Sequence, residues 1–471
     1  VKAPQAPDAA PPRVPVSPTA RLRAGALRLA IPLLIGFVAA AGQGCGARQQ
    51  GGPSPCMSDS ECRGDRICHE GRCRFLEEVR VELAAGSPPG TPNDASPLPA
   101  PLDGGAIPSS DASPPSNQVE PAGGLEPESS HPPESPAFMG GPRRDGRSSC
   151  VGPAIAPSER WSYATRGRIA ASPTVGPDGA IYIGSLDRTF SALSPDGSLR
   201  WRYVAADRFY SSAALGPDGS VYVGNDDGHL YAFSEHGQLR WRISLGASVS
   251  SSPVVDDEGT IYVLANGVFA IDPSGHIRWS VSTPSALRGS PALHPDGYLV
   301  LGTPEGTLLA LSRGGRMRFR SDAGASVSGS PSIGPDGTIL VANDLGQVLA
   351  FDREGQRLWR FETGDDIRGT PASSADGTVI VGSDDRHVYA IREGALRWRV
   401  RTAGRVRASA RIDAEGRIYI GSQDDYVYAI SASGEILWRH DVGEDVDSTL
   451  AIAGDGSLYV GADDGALHAL R

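Results

Sequence analysis

The chain has 471 residues, 44 Lys+Arg against 55 Asp+Glu, and a formal charge of -11. At roughly 100–200 residues per domain this length allows two to four domains, and the acidic balance argues against nonspecific binding to nucleic acid or anionic lipid. Lys2 is the only lysine, so Schiff-base and phosphate-loop lysine chemistry has almost no residue to use.

Residues 1–45 read as an export address. Arg21, Arg23 and Arg28 precede the apolar run Leu29–Ala41, and a basic stretch followed by a short apolar core and small residues is a secretory signal peptide. The run is too short to span a bilayer. It leads into Ala41-Gly42-Gln43-Gly44-Cys45, which resembles a bacterial lipobox and makes Cys45 the expected acylation site. Ordinary cleavage nearby, with Cys45 left as a thiol, is the alternative.

Residues 46–75 form a cysteine-rich module. Cys56, Cys62, Cys68 and Cys73 in an exported chain read as two disulfides. Spacing does not choose among the three pairings, and Cys56–Cys68 with Cys62–Cys73 is the working assignment. Zinc competes because His69 sits in the cluster, but CxxC knuckles are missing. Cys150 either remains a thiol, pairs between chains, or bridges to Cys45.

Residues 76–157 are expected to form a disordered linker rich in Pro, Ser and Gly. Positions 86–142 hold fifteen prolines and seven acids, with no Lys or Arg. Such a segment buries too little apolar surface to offset its ordering entropy.

From residue 158 to 471 the chain repeats. An aromatic recurs at Trp161, Trp201, Trp241, Trp279, Phe319, Trp359, Trp398 and Trp438, at spacings of 38 to 40 residues. A turn glycine recurs eight times in the same way, from Gly179 to Gly456. Each unit holds a small-residue start, three alternating apolar strands with Asp-Gly-type turns, and an LRWR-like strand. Four short strands per ~40 residues is the signature of a β-propeller blade. The fold expected is all-β, an eight-bladed propeller of four-stranded blades. The array opens with an outer-strand motif at 158–164 and stops after a third strand, so strand 158–164 is expected to complete the last blade and close the ring. The aromatics are expected to be buried between adjacent blades.

The unit, as in VYVGNDDGHLYAF followed by GQLRW, resembles the pyrroloquinoline-quinone (PQQ) type propeller repeat. That family includes quinoprotein dehydrogenases and the propeller lipoprotein of the outer-membrane β-barrel assembly machinery. The resemblance implies, for the enzymes, a quinone stacked between a tryptophan and a vicinal disulfide ring, Ca²⁺ held by Glu, Asn and Asp, and an Asp base. No cysteine follows Cys150, and every tryptophan already occupies the repeat position. No GxSxG or HExxH motif occurs. No catalytic residue, cofactor or metal is therefore assigned. The Asp pairs Asp226-Asp227, Asp384-Asp385, Asp424-Asp425 and Asp463-Asp464 read as turn chemistry ahead of Ca²⁺ ligation.

Candidate recognition residues come from variation. The position before the inner strand reads Ala170, Tyr210, Ser250, Arg288, Ser328, Arg368, Arg407 and Asp447 around the ring. Arg288, Arg368 and Arg407 are placed to meet an anion or acidic peptide, with Phe209 and Tyr210 as aromatic anchors and Asp447 as a further candidate. Alternatively the arginines pair with Asp365, Asp366 and Glu444. The function expected is a non-catalytic, envelope-anchored scaffold for a protein or peptide. It would be a monomer and touch membrane only through its lipid. A PQQ-dependent oxidoreductase and a glycan or small-ligand sensing head are the alternatives.

Overall fold

The computed structural model describes residues 137–471 in full, and the backbone of two short strands, β1 (Arg66–His69) and β2 (Arg72–Phe75). These two pair antiparallel with Cys68 opposite Cys73. Cys45, Cys56 and Cys62 lie outside the described residues.

Residues 159–470 form eight four-stranded antiparallel sheets. Blade 1 runs from its inner strand β4 (Thr174–Val175) through β5 (Ile181–Gly184) and β6 (Thr189–Leu193) to the outer strand β7 (Leu199–Val204). Blades 2 to 7 follow at 214–244, 254–282, 292–322, 332–362, 372–401 and 411–441. Blade 8 holds three strands within 451–470, and its outer position is filled by β3 (Glu159–Ala164), which pairs with β34 (Ala466–Leu470). In that pairing Trp161 stands opposite Ala469. The three inner strands of a blade are buried almost throughout, whereas an outer strand such as β7 alternates exposed and half-buried residues. Period-two alternation therefore reports only the outer strand. Strands buried on both faces read as continuous apolar runs.

Apolar side chains collect in eight clusters, one in each seam between neighbouring blades. The repeating aromatics sit at the outer end of these seams. Trp161 donates its indole N–H to Pro195 O (3.0 Å), Trp201 to Glu235 O (2.8 Å), Trp241 to Pro273 O (2.9 Å), Trp279 to Arg313 O (2.7 Å) and Trp398 to Ala432 O (2.9 Å). Each acceptor lies in the last turn of the next blade. The turn glycine packs on the ring: a Cβ at Gly237 would come within 2.5 Å of Trp201. Its φ of +79° also favours glycine. Only Trp438 is fully buried, and the other seven aromatics are half-buried. The expectation of buried aromatics is corrected accordingly, because the outer strand is the solvent-facing edge of its blade.

The linker expectation also needs correction. Its last stretch, from residue 137, runs into the axis of the ring. Ala137 bridges to Ala214 of blade 2, and Arg147 to Ile412 of blade 7. Between them the chain accepts backbone hydrogen bonds from four successive inner strands. Leu293 N–H donates to Pro142 O (2.8 Å), Ile333 to Arg143 O (2.9 Å), Ser373 to Asp145 O (2.8 Å) and Ile412 to Gly146 O (2.9 Å). The plug also adds Ala137, Met139 and Cys150 to three different seams. Buried apolar contacts and satisfied backbone groups order it, despite the composition around it. Beyond the plug, Pro153 O accepts the Trp438 indole N–H at 2.9 Å. Pro153 thereby supplies the carbonyl that blade 8 cannot offer, since its third and fourth strands are not joined by a turn.

Candidate functional site

The plug closes the axis around a fully buried cation, Arg144. Its Nε donates to Pro291 O (2.6 Å), and its terminal nitrogens donate to Ser252 O (2.8 Å), Pro253 O (3.2 Å) and Phe138 O (3.4 Å). All four acceptors are carbonyl oxygens. Burial pulls its pKa down to about 9, which still leaves the guanidinium charged at neutral pH. Phe138 stacks against it, with the guanidinium carbon 5.2 Å from the ring centroid.

Above Phe138 the channel remains open as a cup of about 180 Å³. Its wall is a belt of eight hydroxyls, one per blade: Ser172, Ser212, Ser252, Ser290, Ser330, Thr370, Ser409 and Thr449. The belt is stitched head to tail. The backbone N–H of Ser172 donates to Ser212 Oγ (2.9 Å), Ser212 to Ser252 (3.0 Å), Ser252 to Ser290 (2.9 Å) and Ser290 to Ser330 (2.9 Å). Thr370 N–H donates to Ser409 Oγ (2.8 Å), and Thr449 N–H to Ser172 Oγ (3.0 Å), which joins blade 8 to blade 1. The small-residue start of each repeat carried this signal in the sequence, but spacing alone did not separate a hydrogen-bonding hydroxyl from a merely small side chain.

The variable positions form the rim. Ala170, Tyr210, Arg288, Ser328, Arg368, Arg407 and Asp447 all line the cup. Phe209 does not: it is fully buried in the seam between blades 1 and 2. It is corrected from a recognition residue to a core residue. Its counterparts around the ring are Ile169, Val249, Leu287, Val327, Ile367, Val406 and Val446, all buried. An apolar residue at every repeat is a packing position, and that regularity was visible in the sequence.

The rim arginines are partly engaged. Arg407 grips Asp384 with two bonds, of 3.1 and 3.2 Å. Arg368 reaches Asp366 at 3.4 Å and Asp384 at 3.7 Å. Asp366 was the expected partner, whereas Asp384 arrives from the loop between the second and third strands. The members of the Asp pairs have separate duties. Asp227, Asp385 and Asp464 each accept a backbone N–H two residues on, closing their turn. Asp226, Asp384 and Asp463 instead bond the segment that precedes an inner strand, as in Ser248 Oγ to Asp226 (2.5 Å), Arg407 to Asp384 and Arg168 to Asp463 (3.3 Å). Asp424-Asp425 is shifted by one: Gln423 takes the rim place, and Asp425 the positive-φ place held elsewhere by Gly228.

Asp447 accepts from Gln423 Nε2 at 3.0 and 3.2 Å. Burial and the nearby Asp463 carboxylate push its pKa up to about 7, against the pull of Arg407 and Gln423 and with a further push from Asp445. Among the described residues no cluster of three or more His, Cys, Asp and Glu side chains is placed to hold a metal ion.

A family model described as outer membrane protein assembly factor BamB matches the chain at residues 195–272, 264–365 and 344–471. No curated protein matches it. Among solved structures, BamB from Moraxella catarrhalis is 19% identical, with a TM-score of 0.57, over 67% of this chain and 99% of that one. A europium-containing methanol dehydrogenase is 13% identical, with a TM-score of 0.61, over 73% of this chain and 98% of that one. At these identities the two structures establish the shared fold alone.

The quinone site implied for the enzymes does not fit this cup. Its lining has neither a tryptophan nor a cysteine, Asp447 is its one acid, and Phe138 stands on its floor. The eight blades, their repeat aromatics and the match spanning residues 195–471 place the chain in the family of PQQ-like repeat propellers.

Proposed function

We infer that the protein is a non-catalytic binding head of the cell envelope that takes a protein or peptide partner at the channel mouth. One observation carries this reading. Around the mouth the same structural position is filled by Ala, Tyr, Ser, Arg and Asp in different blades, while the turns on the other face repeat. Fold alone does not demand such variation, and loops held on a rigid ring are where recognition concentrates. The match to an outer membrane assembly factor favours partners within an envelope complex. A lipid on Cys45 and the acidic linker would hold a monomeric head close to the outer membrane, facing the periplasm or the cell surface.

Site-specific photo-crosslinking tests the reading. A photoreactive residue at Arg288, on the rim, should give a discrete adduct in envelopes of the source cell. The same residue at Asp336, in an exposed turn of the opposite face, should give none. Adducts from Asp336 alone would move the interface to the other face. Saturable binding of PQQ with Ca²⁺, accompanied by dye-linked alcohol oxidation, would replace the scaffold by an oxidoreductase.

A further inference from the structure

The hydroxyl belt holds donors that the fold does not use. A hydroxyl has one hydrogen to give and two lone pairs to accept with. Six belt serines accept a backbone N–H from the neighbouring blade. None of the six gives its own hydrogen to an acceptor among the described residues. The hydroxyls of Thr370 and Thr449 make no hydrogen bond there either, although both residues are more than nine-tenths buried. Donors therefore converge on one small space from every blade.

The charges lining that space point the same way. Three arginines, Arg288, Arg368 and Arg407, line the cup against one acid, Asp447. Phe138 closes the floor, and Arg144 lies against it. A volume of about 180 Å³ suits one planar group on a short stem better than a whole cofactor. Converging O–H donors together with guanidinium groups recognise an oxyanion.

We propose that the cup captures a carboxylate carried by the partner, either a chain end or an acidic side chain, with Arg288 and the hydroxyl belt as its donors. The proposal rests on the binding-head reading and names the group that the head recognises. Arg288, exposed at the rim, meets the carboxylate first, and the belt accepts it once it is desolvated.

The test uses the full chain and ligand-observed NMR with three probes. N-acetyl-triglycine offers a chain-end carboxylate, N-acetyl-glutamic acid α-amide a side-chain carboxylate, and inorganic phosphate a competing oxyanion. At least one carboxylate probe should saturate the protein. Arg288→Gln should weaken it about tenfold. The double variant Thr370→Val/Thr449→Val should weaken it about fivefold with an unchanged melting temperature, because neither hydroxyl holds the ring together. The tighter of the two carboxylate probes identifies the source. Equal binding to wild type and both variants, no binding to folded wild type, or phosphate binding tighter than both carboxylates would each overturn the proposal. A rim crosslink that persists while every carboxylate probe fails would leave the binding head standing and remove only its carboxylate.

Discussion

The ring and the plug reach order by opposite routes. The ring makes the same few contacts over and over: an apolar seam at all eight blade junctions, a hydroxyl that receives the neighbour's N–H at six of them, and an indole bonded to the next blade's turn at five. The plug's contacts do not repeat: each of its residues meets the blades in its own way. Repetition spreads stability, so that one altered copy is carried by its neighbours. A segment without repeats concentrates it in single residues, Arg144 above all. The two regions should therefore respond to substitution on different scales.

Truncation should have the largest effect. A chain beginning at residue 165 loses both the plug and β3, leaving β34 as an open edge. Open edges pair with other chains, so this variant should elute as aggregate in size-exclusion chromatography. A soluble monomer with a native β-sheet spectrum would show that the ring needs neither.

Next comes Arg144→Met, which keeps the volume but strips the donors from four carbonyls. Leaving those groups buried and unpaired should lower stability by about 3 kcal/mol, read as a shift in the urea midpoint. A loss below about 0.5 kcal/mol would reduce the plug to a passenger.

Trp279→Phe measures one copy of a repeated contact. It removes the bond to Arg313 O and should cost about 1 kcal/mol. Phe319 already fills the equivalent place in blade 4, where Ser321 Oγ donates instead to Gly355 O at 2.5 Å. A cost as large as that of Arg144→Met would erase the distinction between shared and concentrated stability.

Asp447 should give the smallest effect, visible only against pH. Its pKa is raised from 3.8 to about 7 in the fold, so between those values the folded chain holds a proton that the unfolded chain releases. The contribution of this group is then fully present below about 4 and is lost as pH rises toward 7. Arg407, Gln423, Asp445 and Asp463 set that balance. Asp447→Asn should flatten this part of the pH profile in urea titrations. An unchanged slope would show that Asp447 does not carry it. Carboxylate probes should also bind wild type more weakly above pH 7 than below it, as Asp447 gains its charge.

Repetition also decided what could be read from the sequence. The blades, their number and the outer strand at the N-terminal end of the array follow from positions that recur every ~40 residues. The plug recurs nowhere, and the composition of the preceding residues hid it. Its signal was the change at residues 143–147, where Arg143, Arg144 and Arg147 follow a long stretch without a basic residue. A buried arginine on backbone carbonyls has no sequence pattern of its own, since three of its four partners lie 108 to 147 residues away. The rim was found by the reverse logic, as the place where the repeat fails. Phe209 was misplaced because it was read beside Tyr210 and not against its seven apolar counterparts.

All six links of the hydroxyl belt point the same way, from one blade to the next, and the link from Thr449 to Ser172 runs like the others. Seen from the axis, the ring has no first blade. The break in the covalent chain exists only at the perimeter, between β3 and β34, and in the plug that enters beside it. The fold is in this sense a ring of blades cut at an arbitrary point, and a circular permutation opened in another outer turn would leave the wall of the cup as it is.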